Sequence, residues 1–197
     1  MMNKTKWSID PSHSEIGFKI EHLMISHVKG VFLKFDSDIS TIGEDFSTAE
    51  INVWIEAASL DTRDKKRDEH LKGPDFFDVD KFKEITFTGG EMKKSSKTGT
   101  FDLTGDLKMR GITKQIKLSV TYGGKMKDPY GNDKAGFIVT GMINRKDWEL
   151  GWNTPLTSGG VLLDDEVHLN CEVQLIKKSS PEIKMEAENT QSEEMIA

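Results

Sequence analysis

The stretch "VHLNCEVQL", Val167 to Leu175, constrains the fold most, because apolar and polar residues alternate through it without a break. A period of two puts Val167, Leu169, Cys171, Val173 and Leu175 on one face of an extended chain. His168, Asn170, Glu172 and Gln174 fall on the other. Such a strand needs a core on one side and water on the other, which is the habit of antiparallel sheets. The rhythm recurs in Ile16, Phe18 and Ile20; in Ile51, Val53 and Ile55; and in Phe101, Leu103, Leu107 and Met109 around Gly105. Ile116, Leu118, Val120 and Tyr122 repeat it, as do Phe137, Val139 and Ile143 around Gly141.

About eight such runs, joined by short loops rich in Gly, Asp, Asn and Pro, predict an all-β antiparallel domain. One segment departs. "DTRDKKRDEHLKGPDFFDVDKF" has charge-rich helical spacing, an N-cap candidate in Asp61 or Thr62, and a stop near Gly73-Pro74, so one or two short helices are expected between strands. In a sandwich, glycines inside strands would serve tight packing. In a closed barrel, Gly17, Gly30, Gly105 and Gly141 would permit bends and leave room inside. A barrel has no open edge and encloses a ligand at about eight strands, and it is the expected architecture.

The formal net charge of −6 disfavours nucleic-acid partners, which need a basic face. Lys65-Lys66-Arg67 is flanked by Asp64, Asp68 and Glu69, which cancel its field. Cys171 is alone, so no intrachain disulfide forms. The N-terminus lacks the apolar core of a signal peptide, and no apolar run reaches the roughly 18 residues of a membrane span. The expected location is cytoplasmic. The barrel is expected over residues 1–177, and the acidic tail 178–197 is expected to be disordered or a lone helix.

Four segments together resemble the YceI-like family of lipocalin-like, polyisoprenoid-binding barrels. They are "WSIDPSHSEIGFKIEHLMISHVKGVFLKF", "RDEHLKGPDFFDVDKFKEITF", "LTGDLKMRGITKQIKLSV" and "GFIVTGMINRKDWELGW", in that order. Lys83 stands where the family often has a proline, and the acidic tail is extra. The resemblance implies an eight-stranded antiparallel barrel, a long apolar ligand, often a dimer, and no established catalytic residue. A carrier or reservoir for such a lipid is the expected function. The alternative is an enzyme acting on a small hydrophobic substrate in the same cavity.

Residues expected to face the ligand are Phe18, Ile20, Phe32, Phe35, Val53, Ile55 and Phe87 from the first half of the chain. Leu107, Met109, Leu118, Val120, Val139, Ile143 and Leu169 are expected from the second. Two polar residues join them. His22 shares the parity of Ile20, which makes it either a core histidine or a contact for a headgroup. Arg145 follows Ile143 by two; it is either a seal stacked on Trp7 across the closed end or a clamp for a pyrophosphate.

Chemistry beyond binding finds little support. Successive histidines are separated by 9, 5, 43 and 98 residues, matching neither the i, i+2 of a strand face nor the i, i+4 of a helix face that a metal pair favours. His13 is expected in a turn, His27 at a strand start, His168 facing outward, and His70 joining helix to barrel or touching ligand. There is no Gly-x-Ser-x-Gly elbow and no phosphate loop. No metal or other cofactor is expected. Cys171 lies on an apolar face, where a thiol is packing.

Overall fold

Antiparallel pairing carries the chain round a full circle. The computed structural model describes residues 4–157 and 159–178. From residue 179 on, the expected acidic tail lies outside the described residues. The strands are β1 (Lys4–Ile9), β2 (Glu15–His22), β3 (Ser26–Phe32), β4 (Phe35–Ile42), β5 (Asp45–Glu56) and the two-residue β6 (Leu60–Asp61). They continue as β7 (Glu84–Lys94), β8 (Thr100–Met109), β9 (Ile112–Lys127), β10 (Asp133–Asn144) and β11 (Leu163–Lys177). Neighbours run β1-β4-β5-β7-β8-β9-β10-β11, and β11 returns to β1, so eight strands close a barrel. That last pairing decides against a sandwich, which has edges.

β2, β3 and β6 lengthen the barrel at one end. β11 pairs with β1 through Leu175 to Lys177 and with β2 through Leu163 to Glu172. β1 and β2 are therefore two halves of one stave, broken by a 3₁₀ turn at Pro11–His13. Asp10 holds the break. Its carboxylate accepts from the Ser12 N–H and from Lys134 Nζ at 2.8 Å, and it lies 2.9 Å from His13 Nδ1. Burial alone would raise the Asp10 pKa, but these bonds keep it below the ordinary carboxylate value. The turn is thus tied to β10, and His13 occupies the turn expected for it.

Aromatic side chains fill the end of the barrel nearest the β4–β5 turn. Trp7 is fully buried and donates through Nε1 to Thr41 Oγ1 at 3.0 Å. Its ring meets Phe46, which meets Phe137 at the same centroid distance of 4.9 Å, with Tyr122 beside both. Outside this plug, Glu44 bridges Lys125 and Lys177, and those hydrogen bonds hold its pKa down to about 2.

At the opposite end helix α1 (Lys65–Lys72) crosses from β6 toward β7. Its N-cap is Asp64, which accepts from the N–H groups of Lys66 and Arg67, and not the expected Asp61 or Thr62. Both of those are otherwise engaged. Asp61 pairs with Val31 and accepts from the Arg63 N–H, while Thr62 is buried and bonded to Asp68 and Arg67. Arg63, at φ +64°, turns the chain into the helix. The helix ends at Gly73 as its sequence predicts, and Phe76 and Phe77 then return to the barrel core.

Candidate functional site

The inward faces of the staves enclose a cavity of about 580 Å³. That volume lies in the range of small-molecule sites, and the wall is almost wholly apolar. Why is it not filled? Inward positions of three strands carry glycine, and large neighbours lie down over them. A β-carbon at Gly105 would stand 2.4 Å from Phe87 Cζ and 2.7 Å from the Thr88 carbonyl oxygen. At Gly30 it would stand 2.4 Å from Phe18 Cζ, and at Gly141 2.5 Å from Leu118 Cδ2. Rings and branches rest against backbone instead of reaching the axis, so the lumen stays open. Gly105→Ala is therefore expected to lower stability by about 1–3 kcal/mol, as overpacking does, read as an earlier midpoint in urea.

The residues expected to face a ligand line this cavity, Phe35 excepted. Phe18, Ile20, Phe32, Val53, Ile55 and Phe87 form one side; Leu107, Met109, Leu118, Val120, Val139, Ile143 and Leu169 form the other. Phe35 opens β4 just after the chain leaves β3, and it packs half-buried against the core without reaching the lumen.

His22 and Arg145 also line it, at the α1 end. Arg145 does not stack on Trp7. Trp7 pairs beside Lys177, level with the start of β10, whereas Arg145 follows that strand's last residue, Asn144. Roughly 36 Å of strand separates them. Nor is the guanidinium free for a headgroup. Nε donates to the Asp164 carbonyl at 2.8 Å and Nη1 to the carbonyls of Leu150 and, at 2.9 Å, Trp152. Nη2 reaches Asp165 at 3.3 Å. Burial draws the Arg145 pKa down, and Asp165 and Asp164 oppose that. Arg145 is a brace beneath the segment that carries Trp152.

The rim holds residues that sequence reasoning missed. Lys66, Arg67, Leu71, Phe76, Phe77 and Trp152 all line the cavity. They belong to the crossover and to the loop after β10, where no period-2 pattern marks an inward side. His70 presents its ring edge-on to Phe76 and Trp152 at 5.1 and 4.8 Å, while Nε2 stands 3.2 Å from Asp75. It both joins helix to barrel and lines the cavity. Among the described residues, the ionisable ones in the lining are His22, Lys66, Arg67, His70 and Arg145 at the mouth, and Cys171 on β11, with no carboxylate. Burial raises the Cys171 thiol above its ordinary pKa, which suits packing. Among the described residues no three His, Cys, Asp or Glu side chains stand together as metal ligands, and no helix is long and apolar enough to cross a membrane.

Comparison with known proteins agrees with this geometry. The model of the YceI-like domain matches residues 7–175. A UPF0312 protein of Staphylococcus aureus is 37% identical over 171 residues, covering 86% of this chain and 96% of its own length. The crystal structure of the Campylobacter jejuni YCEI protein superposes with a TM-score of 0.68 at 34% identity, over 86% of this chain and 96% of that one. A polyisoprenoid binding domain from Saccharophagus degradans, implicated in plant cell wall breakdown, shares the fold at 14% identity. Its TM-score is 0.61, over 87% of this chain and 98% of that one.

Proposed function

The chain belongs to the YceI-like family, and from that premise we propose that its barrel binds a long apolar lipid, as carrier or reservoir, with the chain in the lumen. The observation that carries this reading is an apolar cavity closed by aromatic rings at one end and open between α1 and the β2–β3 turn at the other. A polyisoprenoid is the favoured guest, after the Saccharophagus degradans domain of the same fold. The lining residues named above are its contacts. Binding is favoured over catalysis because the ionisable side chains gather at the rim, apart from one buried thiol. A cytoplasmic location and a homodimer complete the proposal.

The cavity also suggests how much chain it takes. At about 30 Å³ for each water-sized group, 580 Å³ holds about 20 groups. A 40-carbon chain would then leave about half its length outside the mouth. Thermal denaturation with uncharged prenyl alcohols of increasing length tests this. The melting temperature is expected to rise by roughly 5–10 °C at saturation, as a ligand specific for the native state produces. The gain should grow with length and level off near 20 carbons. If no alcohol shifts the transition, the lumen does not hold such chains.

A further inference from the structure

We infer that the β2–β3 turn is a membrane-docking lip, which seats the mouth of the barrel on an anionic bilayer so that an apolar chain passes between the two without crossing water. The inference rests on the lipid-binding reading above and adds where the lipid enters. His22 to Ile25 form a tight turn in which Leu23 and Met24 have φ of +57° and +59°, closed by the Ile25 N–H donating to the His22 carbonyl at 3.3 Å. Left-handed conformations at both central positions define the hairpin turn for which Asn-Gly is preferred. This chain places Leu-Met there. Large apolar side chains gain nothing from that backbone, and these are not buried in return: Met24 is 56% exposed and Ile25 83%.

A second loop completes the lip. The Leu23 N–H donates to the Leu162 carbonyl at 2.9 Å, Met24 lies over Gly160, and neighbouring Val161 is 45% exposed. Leu162 itself lines the cavity, so the exposed apolar surface runs directly into the lumen. Charge selects the occupant. Across the mouth, α1 carries four Lys or Arg against Asp68 and Glu69, with Asp64 at its N-cap. The carboxylates that offset this cluster along the sequence do not line the cavity, whereas Lys66 and Arg67 do, and Asp68 is bonded to Thr62. Among the described residues no carboxylate lines the cavity. An apolar tip beside a basic rim is the combination that anionic bilayers bind, and it stands out in a chain of net charge −6.

The test uses the full chain and a variant with Leu23→Asn, Met24→Gly and Ile25→Thr, which gives the turn its preferred residues and should fold at least as well. Co-sedimentation is measured with vesicles of phosphatidylcholine and phosphatidylglycerol, 70:30, and with phosphatidylcholine alone. The native chain is expected to prefer the anionic vesicles, and the variant to bind them at least tenfold more weakly. Equal association of the two proteins, or no association by the native chain, overturns the lip. So does conversion of a native dimer to a monomer by the same substitutions, which would make this surface an interface between copies. Prenyl-alcohol binding, followed in parallel by thermal shift, should be unchanged in the variant. Its absence from both proteins would fail the lipid-binding reading, while vesicle association still judges the lip.

Discussion

Arg145→Ala is expected to lower the melting temperature by roughly 10 °C without any ligand present. Arg145 is 2% exposed, and its side chain satisfies the carbonyls of Leu150, Trp152 and Asp164 together with the Asp165 carboxylate. Its removal strands those carbonyls in a poorly hydrated site and opens a cavity beneath Trp152. Breaking a buried charged network costs about 3–5 kcal/mol, and each kcal/mol shifts the transition by about 2–4 °C in a domain of this size. Arg145→Lys should recover little, because a single ammonium cannot span three carbonyls as a fork does. The contrary result would be an unchanged transition with weaker binding of a prenyl pyrophosphate alone, which would return Arg145 to headgroup recognition.

Val139→Trp is expected to shorten the longest chain the barrel accepts while leaving it folded. Val139 faces the lumen midway along β10, between Val120 of β9 and Cys171 of β11. Because Val139 borders the open lumen, an indole has somewhere to go, unlike at a packed site where enlargement costs about 1–3 kcal/mol. The added ring divides the space toward Phe46 and Phe137 from the space toward the mouth. The plateau in the prenyl-alcohol series should fall from about 20 carbons to about 10, with affinity for longer chains reduced at least tenfold. An unchanged length preference would mean that the chain does not run past Val139.

The barrel was legible wherever a strand has one wet face. Val167 to Leu175, Ile51 to Ile55 and Phe137 to Ile143 alternate because water and lumen alternate, and their inward residues follow from parity alone. The closed end was not. Trp7, Phe46, Phe137 and Tyr122 meet through pairings far apart in sequence, and no local pattern reports which end of a stave a residue occupies. That is why stacking on Trp7 stands among the readings of Arg145: parity puts Arg145 on the inside but carries no height. The mouth was opaque for another reason. Lys66, Arg67, Phe76 and Trp152 lie on a short helix and on irregular segments, where direction is set by caps and by brace contacts such as those of Arg145. Leu23-Met24 carries no turn signal in the sequence, since two large apolar residues are not the Asn-Gly pair that two positive φ values favour.

The central claim is that an apolar chain occupies the lumen, and the most direct measurement is mass spectrometry of an organic extract of the purified protein beside the same extract of Val139→Trp. Native protein should release a long-chain lipid in near-stoichiometric amount, and the variant should release a shorter one or almost none. Equal amounts of the same lipid from both proteins would place it on the surface, and no lipid from either would leave the cavity without the occupant assigned to it.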